Sequence, residues 1–257
     1  MKKKLSLKFL PPVIFIFLIL LIWNIICSTG LLNSYILPSP KTVFKTFIKL
    51  SKSGELFADI SISLIRVARG FFISFCIAFF LGMLSSVIPV SKWFFEYLVH
   101  FFKNVPPISM IPLLILWAGI GETTKTVIIV LASFFPMYMN IVKGFTTCDQ
   151  KLIEVGKIFH YSKIKLFIRI IFPNAITDIL VGMRIGLGYA WRAIIGAEMV
   201  AASIGLGHMI LFAQQMSRTD KVIVGIFVIG FVGYLSDKLF ALLMSLILKG
   251  AELHEGN

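Results

Sequence analysis

Strongly apolar runs alternate with short polar segments along the whole chain, and this pattern predicts a bundle of membrane-spanning helices. A helix of about 20 apolar residues crosses a bilayer, so each sufficiently long run predicts one span. About six such runs occur, at residues 11–27, 71–88, 93–121, 126–142, 175–202 and 222–236. The run FALLMSLILKG that follows Asp237 and Lys238 either continues the sixth span or forms a terminal interfacial helix, and the pattern leaves both open.

The third run is interrupted by the sequence NVPP at residues 104–107. Proline lacks a backbone N–H and clashes with the preceding helical turn, so the helix is expected to break there. A broken membrane helix needs protein or a cavity around it, because its freed backbone groups find no partner in lipid. We therefore expect the third span to be surrounded by protein or to border a cavity.

Two segments precede the core of the bundle. Lysines lead into the first run and no small-residue cleavage site follows it, so residues 1–30 are predicted to form an uncleaved span with a cytoplasmic N-terminus. Residues 37–60 enter through the extended sequence LPSP and then repeat apolar side chains at helical spacing, which predicts an interfacial segment. Residues 61–248 then form the core bundle, within a single transmembrane domain over 1–257.

One long polar segment lies between the fourth and fifth spans. Residues 154–173 read EVGKIFHYSKIKLFIRIIFP, in which basic residues alternate with isoleucine, leucine and phenylalanine. This alternation predicts two short amphipathic helices on or under the bilayer surface, with a break at residues 160–162. Residues 143–173 carry six basic residues against two acidic ones, and basic loops favour the cytoplasmic side of a membrane. With six spans, both termini are predicted to lie on that side too.

Composition supports an integral membrane protein and narrows its chemistry. Of the 257 residues 58% are hydrophobic, and 25 are phenylalanine. The net charge of +13 is distributed between the spans, which indicates contact with anionic headgroups rather than with nucleic acid. The three cysteines lack paired spacing, so neither a disulfide framework nor a metal site is expected. No G-x-x-x-x-G-K-[ST] motif occurs, so any ATP that drives this protein must be bound by another chain.

The polar segment resembles the EAA loop of bacterial ABC-importer permeases. Glu154, Ile170 and Pro173 stand at the offsets of that pattern, whereas Val155 and Gly156 replace its two alanines. The resemblance identifies residues 149–173 as a cytoplasmic coupling loop.

His160 replaces the glycine of the EAA pattern, and Phe172 replaces its leucine. That glycine normally supplies a left-handed residue at the end of a short helix. Because histidine is enriched at positive φ among the non-glycine residues, we expect His160 to keep the turn.

The likeness extends over nearly the whole chain. The motifs LPSP at 37–40, SLIRVARG at 63–70, IPLLILWAGIGETTK at 111–125, GMRIGLGYAW at 182–191 and GAEMVAASIGLGHMI at 196–210 resemble permeases of the nitrate, sulfonate, taurine and bicarbonate importers. The resemblance implies an all-α polytopic permease with the type I importer, or MetI-like, fold in a bacterial plasma membrane. It also implies a second copy of this chain, two ATPase subunits that bind ATP and Mg²⁺, and an extracytoplasmic substrate-binding protein. No cofactor in this chain is implied.

The expected function is transport without catalysis by this chain. The resemblance implies a translocation pathway for a small anionic solute such as an aliphatic sulfonate, taurine or nitrate, with a thiamine or riboflavin precursor as the alternative cargo. An intramembrane enzyme would require a paired constellation of His, Asp, Glu or Cys at mid-depth, and none is evident. An ion channel would leave the polar segment without a purpose.

The resemblance assigns the coupling to the ATPase to Glu154, Val155, Gly156, Lys157, His160, Ile170 and Pro173. A short helix joined rigidly to the fifth span would carry an ATPase movement into the bundle, whereas a flexible loop would dissipate it. Glu154 is expected near the start of the first short helix, where it would favour the helix end or pair with a basic partner. The alternative is that Glu154 only caps this helix and that the basic residues only bind lipid.

The fifth span carries charges that a lipid-facing helix would not tolerate. Arg184, Trp191 and Glu198 are seven residues apart and share one helix face, with Gly188 between them and Arg192 about 80° away. Because a charged side chain costs at least about 2.5 kcal/mol at the centre of a bilayer, this face should lie towards the dimer axis or another span. These five residues are the candidate translocation pathway. The alternative is that the arginines pair internally with Glu198 or with carbonyls of the third span.

Overall fold

The computed structural model describes the backbone of residues 2–30, 33–87 and 97–255, and the side chains at 14–30, 33–86 and 97–248. Every regular element in these ranges is a helix. Four helical segments are long and apolar enough to cross a membrane: Glu55–Ser86, Glu122–Thr146, Lys163–Ala201 and Thr219–Leu248. Two shorter apolar helices, Ile14–Ser28 and Pro107–Ala118, fall in the first and third predicted spans. The start of the third span at Trp93 and the end of the second at Pro89 lie outside the described residues.

The N-terminal third consists of three helices: α1 at Lys2–Ser28, α2 at Pro40–Lys52 and α3 at Glu55–Val87. Ser39 caps α2 by accepting a hydrogen bond from the backbone N–H of Thr42, at 3.3 Å. Helix α2 is amphipathic, as expected of an interfacial helix. The second span begins at Glu55, however, and not after Arg69, so the segment over 37–60 contains a helix boundary and the first turns of α3. The pattern misled there because Arg66 and Arg69 look like flanking charges although both lie inside the helix.

The third span is broken where the prolines predicted. A helical stretch at 97–102 ends before Pro106, which is extended, and a 3₁₀ turn at Pro107–Met110 then leads into α4 at Ile111–Ala118. Gly119 ends α4 in the left-handed region with φ 75°, and its carbonyl accepts a hydrogen bond of 2.7 Å from the Thr124 hydroxyl. This reversal directs the chain into the next long helix.

The remaining long helices form the centre of the bundle. They are α5 at Glu122–Thr146, α8 at Phe172–Ala201 and α10 at Thr219–Glu255, with the short helix α9 at Leu206–Gln215 between the last two. Helix α5 packs most extensively against α8 and α3. Small residues allow this close approach, since a Cβ at Gly182 would lie 2.7 Å from Cβ of Asn140. Because α10 is one continuous helix, the segment after Asp237 continues the sixth span.

Candidate functional site

The polar segment folds as the two short helices that the sequence predicted. Helix α6 spans Gln150–Ile158, and α7 spans Lys163–Leu166. The Asp149 carboxylate caps α6 by accepting the backbone N–H of Lys151 at 2.9 Å. The Ser162 hydroxyl caps α7 by accepting that of Lys165 at 3.3 Å. Each helix therefore has its own start signal, and the residues between them form a defined turn.

His160 makes that turn in the left-handed region, with φ 52°. Its N–H donates to the Lys157 carbonyl at 2.9 Å, and the next N–H, of Tyr161, donates to the Gly156 carbonyl at 3.0 Å. This pair of bonds is the Schellman arrangement that usually places glycine at the left-handed position. The expectation that histidine keeps the turn is confirmed.

The two short helices are packed together, and the second continues into the fifth span. Gly156 is buried, and a Cβ there would lie 2.6 Å from Cδ1 of Leu166 and 2.7 Å from Cδ1 of Ile170. Helix α7 runs through one π-helical turn at Phe167–Ile171 directly into α8. Pro173 has no N–H to donate to the Arg169 carbonyl, four residues before it. In the π-helical turn, the Phe172 N–H donates to the Phe167 carbonyl, five residues before it. The chain is therefore helical without a break from Lys163 to Ala201.

The position of Glu154 differs from the expectation. It lies in the middle of α6, whose start is capped by Asp149, so it is neither a cap nor close to the helix N-terminus. Its side chain is exposed together with those of Val155 and Lys157, and no ion pair of Glu154 occurs within the described part of the chain. The capping alternative is therefore wrong. Glu154 is free to meet a partner outside this chain.

An ionic network lies at the other end of α8 and consists of Arg66, Glu122, Lys125 and Glu198. We call it the buried ionic network because three of its members are buried, whereas the Glu122 side chain is 48% exposed. Glu198 is fully buried, and Arg66 donates to its carboxylate at 2.8 Å through Nη1. The same guanidinium donates through Nε and Nη2 to Glu122, at 3.0 and 2.7 Å, and Lys125 Nζ donates to Glu122 at 2.6 Å. The network thereby ties α3, α5 and α8 together.

The same carboxylate also holds the start of α9. The Gly207 N–H donates to Glu198 at 3.0 Å, the Leu206 N–H donates to Ser63 Oγ at 3.1 Å, and the Gly205 N–H donates to Asp59 at 2.9 Å. These N–H groups have no acceptor inside their own helix. Side chains from α3 and α8 thus cap α9, and every buried side-chain nitrogen and oxygen of the described residues has a partner.

Gly205 is required at this junction for two reasons. Its φ of 126° is a conformation that residues with a side chain rarely adopt, and a Cβ there would lie 2.5 Å from the Glu198 carboxylate carbon. The backbone can therefore pass close to the network only without a side chain.

Arg184 is paired, but not with the partners that the sequence suggested. It donates from Nε and Nη2 to both carboxylate oxygens of Asp237 on α10, each at 2.7 Å. Within the described residues, neither Glu198 nor a carbonyl of the third span bonds to Arg184. The Arg184 side chain is 44% exposed and the Asp237 side chain is 43% exposed.

Trp191 and Arg192 are adjacent in sequence but differ in surroundings. The Trp191 indole is nearly buried and donates to the Ile229 carbonyl of α10 at 3.1 Å. Arg192 is exposed, and its guanidinium lies over the Tyr189 ring, 5.6 Å from the ring centroid. No carboxylate of the described residues pairs with Arg192.

An open groove runs between α8 and α10, which we call the α8–α10 groove. Two adjoining cavities of about 320 and 440 Å³ form it, and both are lined by Gly188, Arg192 and Asp237. Arg184 and Tyr189 line the larger cavity. Of the five candidate pathway residues, the structure therefore brings Arg184, Gly188, Trp191 and Arg192 to one groove, whereas Glu198 belongs to the buried ionic network.

Sequence reasoning missed Asp237, the partner of Arg184, and the polar residues around Glu198: Asp59, Ser63, Arg66 and Glu122. A usable signal existed, because a charge within a span must pair and the chain has few acidic residues available. The pairing of Arg66 with Glu198 joins residues 132 positions apart, so no local pattern could have identified it.

Comparison with known families identifies the chain. Residues 74–249 match the family model of the binding-protein-dependent transport system inner membrane component. The chain is 35% identical over 238 residues to a putative aliphatic sulfonates transport permease of Bacillus subtilis (strain 168), covering 93% of this chain and 86% of that one. It is 29% identical to the taurine transport system permease of Escherichia coli (strain K12), with 85% and 82% covered. A bicarbonate transport system permease of Synechocystis sp. (strain ATCC 27184 / PCC 6803 / Kazusa) is 30% identical, with 94% and 89% covered.

Solved structures support the fold. A chain of the MetNI methionine ABC transporter superposes with a TM-score of 0.59 at 15% identity, covering 74% of this chain and 97% of that chain. A chain of an amino acid ABC transporter reaches 0.63 at 16% identity, with 78% and 96% covered. The predicted all-α, MetI-like fold is confirmed. The chain belongs to the binding-protein-dependent transport system inner membrane component family, as an ABC-importer permease of the sulfonate, taurine and bicarbonate type.

Proposed function

We propose that this chain is the membrane subunit of an ATP-driven importer and forms the translocation pathway for a small anionic solute, such as an aliphatic sulfonate, taurine or nitrate. The names of the relatives support this class, since they specify aliphatic sulfonates, taurine and bicarbonate. Two copies would enclose the pore, two ATPase subunits would bind ATP and Mg²⁺, and an extracytoplasmic binding protein would deliver the solute. This chain would contribute neither a cofactor nor a catalytic residue.

One observation carries the coupling part of the proposal: α6 is packed against α7, and α7 continues without a break into α8. Coupling requires one element that both sites sense. We assign the contact with the ATPase to the exposed residues Glu154, Val155 and Lys157. Gly156, His160, Ile170 and Pro173 would hold the coupling unit in shape.

For the translocation pathway, we assign Arg184, Gly188 and Arg192 to its lining. Trp191 would support the groove from behind through its bond to α10, and Glu198 would fix the far end of α8. The exposure of two arginines within a membrane span supports this assignment, because such charges face protein or water rather than lipid.

The proposed orientation places residues 143–173 and both termini in the cytoplasm. Lys157 on α6 and Lys45 on α2 are both exposed, so single cysteines at these two positions in a variant without native cysteines report opposite sides. An impermeant thiol reagent added to intact cells should label Lys45→Cys and spare Lys157→Cys. Labelling of Lys157→Cys from outside would show that the orientation is inverted.

The central experiment reverses the charge of Glu154 in the complex reconstituted with its ATPase and binding protein. Since Glu154 is exposed, Glu154→Lys should insert and dimerise normally, with a change in stability within about 0.5 kcal/mol. Stimulation of ATP hydrolysis by the loaded binding protein should fall at least about fivefold, the lower end of typical coupling energies. Full stimulation in Glu154→Lys would mean that this segment is only a membrane-surface helix.

His160→Gly is the matched control in the same loop. Glycine adopts the left-handed turn of residue 160 more readily than histidine, at a modest entropic cost. The variant should therefore retain the stimulated ATP hydrolysis of the wild type. A loss in His160→Gly as large as that in Glu154→Lys would show that any change in this loop uncouples the complex, and would remove the specific role of Glu154.

A further inference from the structure

The charges that face the α8–α10 groove do not cancel. Arg184 is held by two hydrogen bonds to Asp237, so this pair is locally neutral. Arg192 has no carboxylate partner among the described residues, and Lys238 lies over the Tyr234 ring that lines the same groove, 5.6 Å from its centroid. The groove therefore has an excess of positive charge.

The groove lies away from the ends of both helices that form it. Arg184 and Arg192 lie in the middle part of the 30-residue helix α8, and Asp237 lies halfway along the 37-residue helix α10. Headgroups lie about 15 Å from the centre of a hydrocarbon core that is about 30 Å thick. A guanidinium at mid-depth without a protein partner needs water or a dissolved anion.

The space between the two arginines is kept open by Gly188. Arg184 and Arg192 are eight residues apart, which separates them by about 12 Å along the helix, with Gly188 midway. A Cβ at Gly188 would meet no atom within 4 Å, so this glycine is not needed for helix packing, unlike Gly182 and Gly186 on the same helix. The helix surface between the two arginines therefore carries no side chain that would fill the groove.

We propose that the α8–α10 groove is an anion site in which Arg192 contacts the oxygens of a small monoanion of the sulfonate or carboxylate class. This inference rests on the proposed function and adds the residue that recognises the charge. Arg184 acts differently: its pair with Asp237 limits the positive charge of the groove, so that the anion is attracted without being trapped. A planar guanidinium offers two parallel N–H donors to such an oxyanion, and the Tyr189 ring holds it in place.

The test measures the charge preference of the groove directly. The native Cys27, Cys76 and Cys148 are replaced by serine, and Gly188→Cys provides a thiol four residues from Arg192. The complex with its ATPase, in phosphatidylcholine nanodiscs without ATP, is treated with an anionic reagent, 2-sulfonatoethyl methanethiosulfonate, or with its cationic trimethylammonium analogue. Rates are divided by those for free thiol. The anionic reagent, itself an ethylsulfonate, should react faster than the cationic one.

Neutralising Arg192 should abolish this preference. A unit charge about 6 Å away changes the relative rates of the two reagents by about fivefold to tenfold. Arg192→Gln should lower the ratio by that factor, and Arg192→Lys should largely keep it. Arg69→Gln is the matched control, because Arg69 is exposed on α3 and lines neither cavity of the groove. An unchanged ratio in Arg192→Gln, or an equal fall in Arg69→Gln, would overturn the proposal.

A second measurement separates this inference from the proposed function. Proteoliposomes with the ATPase and the binding protein are assayed for uptake of radiolabelled ethanesulfonate per ATP hydrolysed. Absence of uptake by the wild type would count against the proposed cargo, while the labelling ratio still decides the anion site. With uptake present, Arg192→Gln should lower the anions moved per ATP about tenfold. Wild-type uptake per ATP in Arg192→Gln would refute a role in passage.

Discussion

Helix α8 carries two groups of charges that differ in almost every physical respect. At one end Glu198 is fully buried and accepts bonds from Arg66, Ser63 and Gly207. In the middle, Arg184 is about half exposed beside Asp237, and Arg192 has no carboxylate partner within the described side chains. Charges that share a helix face in sequence therefore serve different purposes.

The difference follows from what covers the helix. Around Glu198, α3, α5 and the start of α9 surround α8, so the carboxylate is removed from solvent and must have a complete set of donors. Around Arg184 and Arg192, the groove separates α8 from α10, and no other described helix closes it. Burial makes the first group part of the packing between the helices, whereas the second group is exposed to the groove.

The strongest test of this contrast removes Arg66. Arg66→Met leaves Glu198 and Glu122 without their main partner, and loss of one member of a buried ion pair costs about 3–5 kcal/mol. We expect a large fall in the thermal unfolding midpoint of the purified complex, or loss of the protein from the membrane. Arg69→Met, on the exposed face of the same helix, should change the midpoint little.

Arg66→Lys keeps this test decisive if Arg66→Met does not fold. Lysine keeps the positive charge but cannot donate to both carboxylates in a fork, so its midpoint should lie between those of Arg66→Met and the wild type. A wild-type midpoint in both variants would show that the buried ionic network does not stabilise the fold.

The second test compares two glycines that border the two groups. Gly205→Ala places a side chain at φ 126° against the Glu198 carboxylate and should destabilise the complex by about 1–3 kcal/mol. Gly188→Ala meets no neighbour and lies within a helix, so it should stabilise by about 0.5–1 kcal/mol. Thermal midpoints of the two purified variants should therefore shift in opposite directions. Equal shifts would show that the two regions are packed alike.

Much of this architecture was predictable because it depends on local pattern. The apolar runs, the proline break after 104 and the turn at His160 each follow from residues that lie close together in sequence. The start of α3 at Glu55 was missed, because arginines within a helix look like its flank until their partners are known.

The site was predictable only in part, for a related reason. The face that holds Arg184 and Glu198 follows from helical spacing, but its division into a buried half and an exposed half depends on neighbours from distant parts of the chain. The pairing of Arg184 with Asp237 joins residues 53 positions apart. Long-range contacts of this kind are set by packing, which periodicity does not record.

The third test separates the contribution of the Arg184–Asp237 pair from that of Arg192, which has no carboxylate partner among the described residues. Arg184→Ala should change the thermal midpoint little, because both side chains of its pair with Asp237 are nearly half exposed. The unpaired aspartate then repels anions, so uptake should fall more than in Arg192→Lys, which keeps its charge. Arg184→Ala combined with Asp237→Ala should restore much of the uptake. These comparisons require equal membrane levels of all variants. Uptake at the wild-type rate by Arg184→Ala would show that Arg184 is not part of the translocation pathway.

The smallest expected effect is that of salt, and it distinguishes the two groups by how far water reaches each of them. Raising the ionic strength from 0.1 to 1 M shortens the Debye length from about 10 to about 3 Å, which screens charges in water and hardly affects a pair that excludes water. The anionic preference of the thiol at Gly188→Cys should therefore fall about twofold or more, since Arg192 faces an open groove. The difference in thermal midpoint between Arg66→Lys and the wild type should change less than this preference, because Arg66 and Glu198 are buried and only Glu122 is partly exposed. A labelling preference that resists salt would place Arg192 in a closed, dry site. A stability difference that shrinks as strongly as the labelling preference would mean that water reaches the Arg66–Glu198 pair.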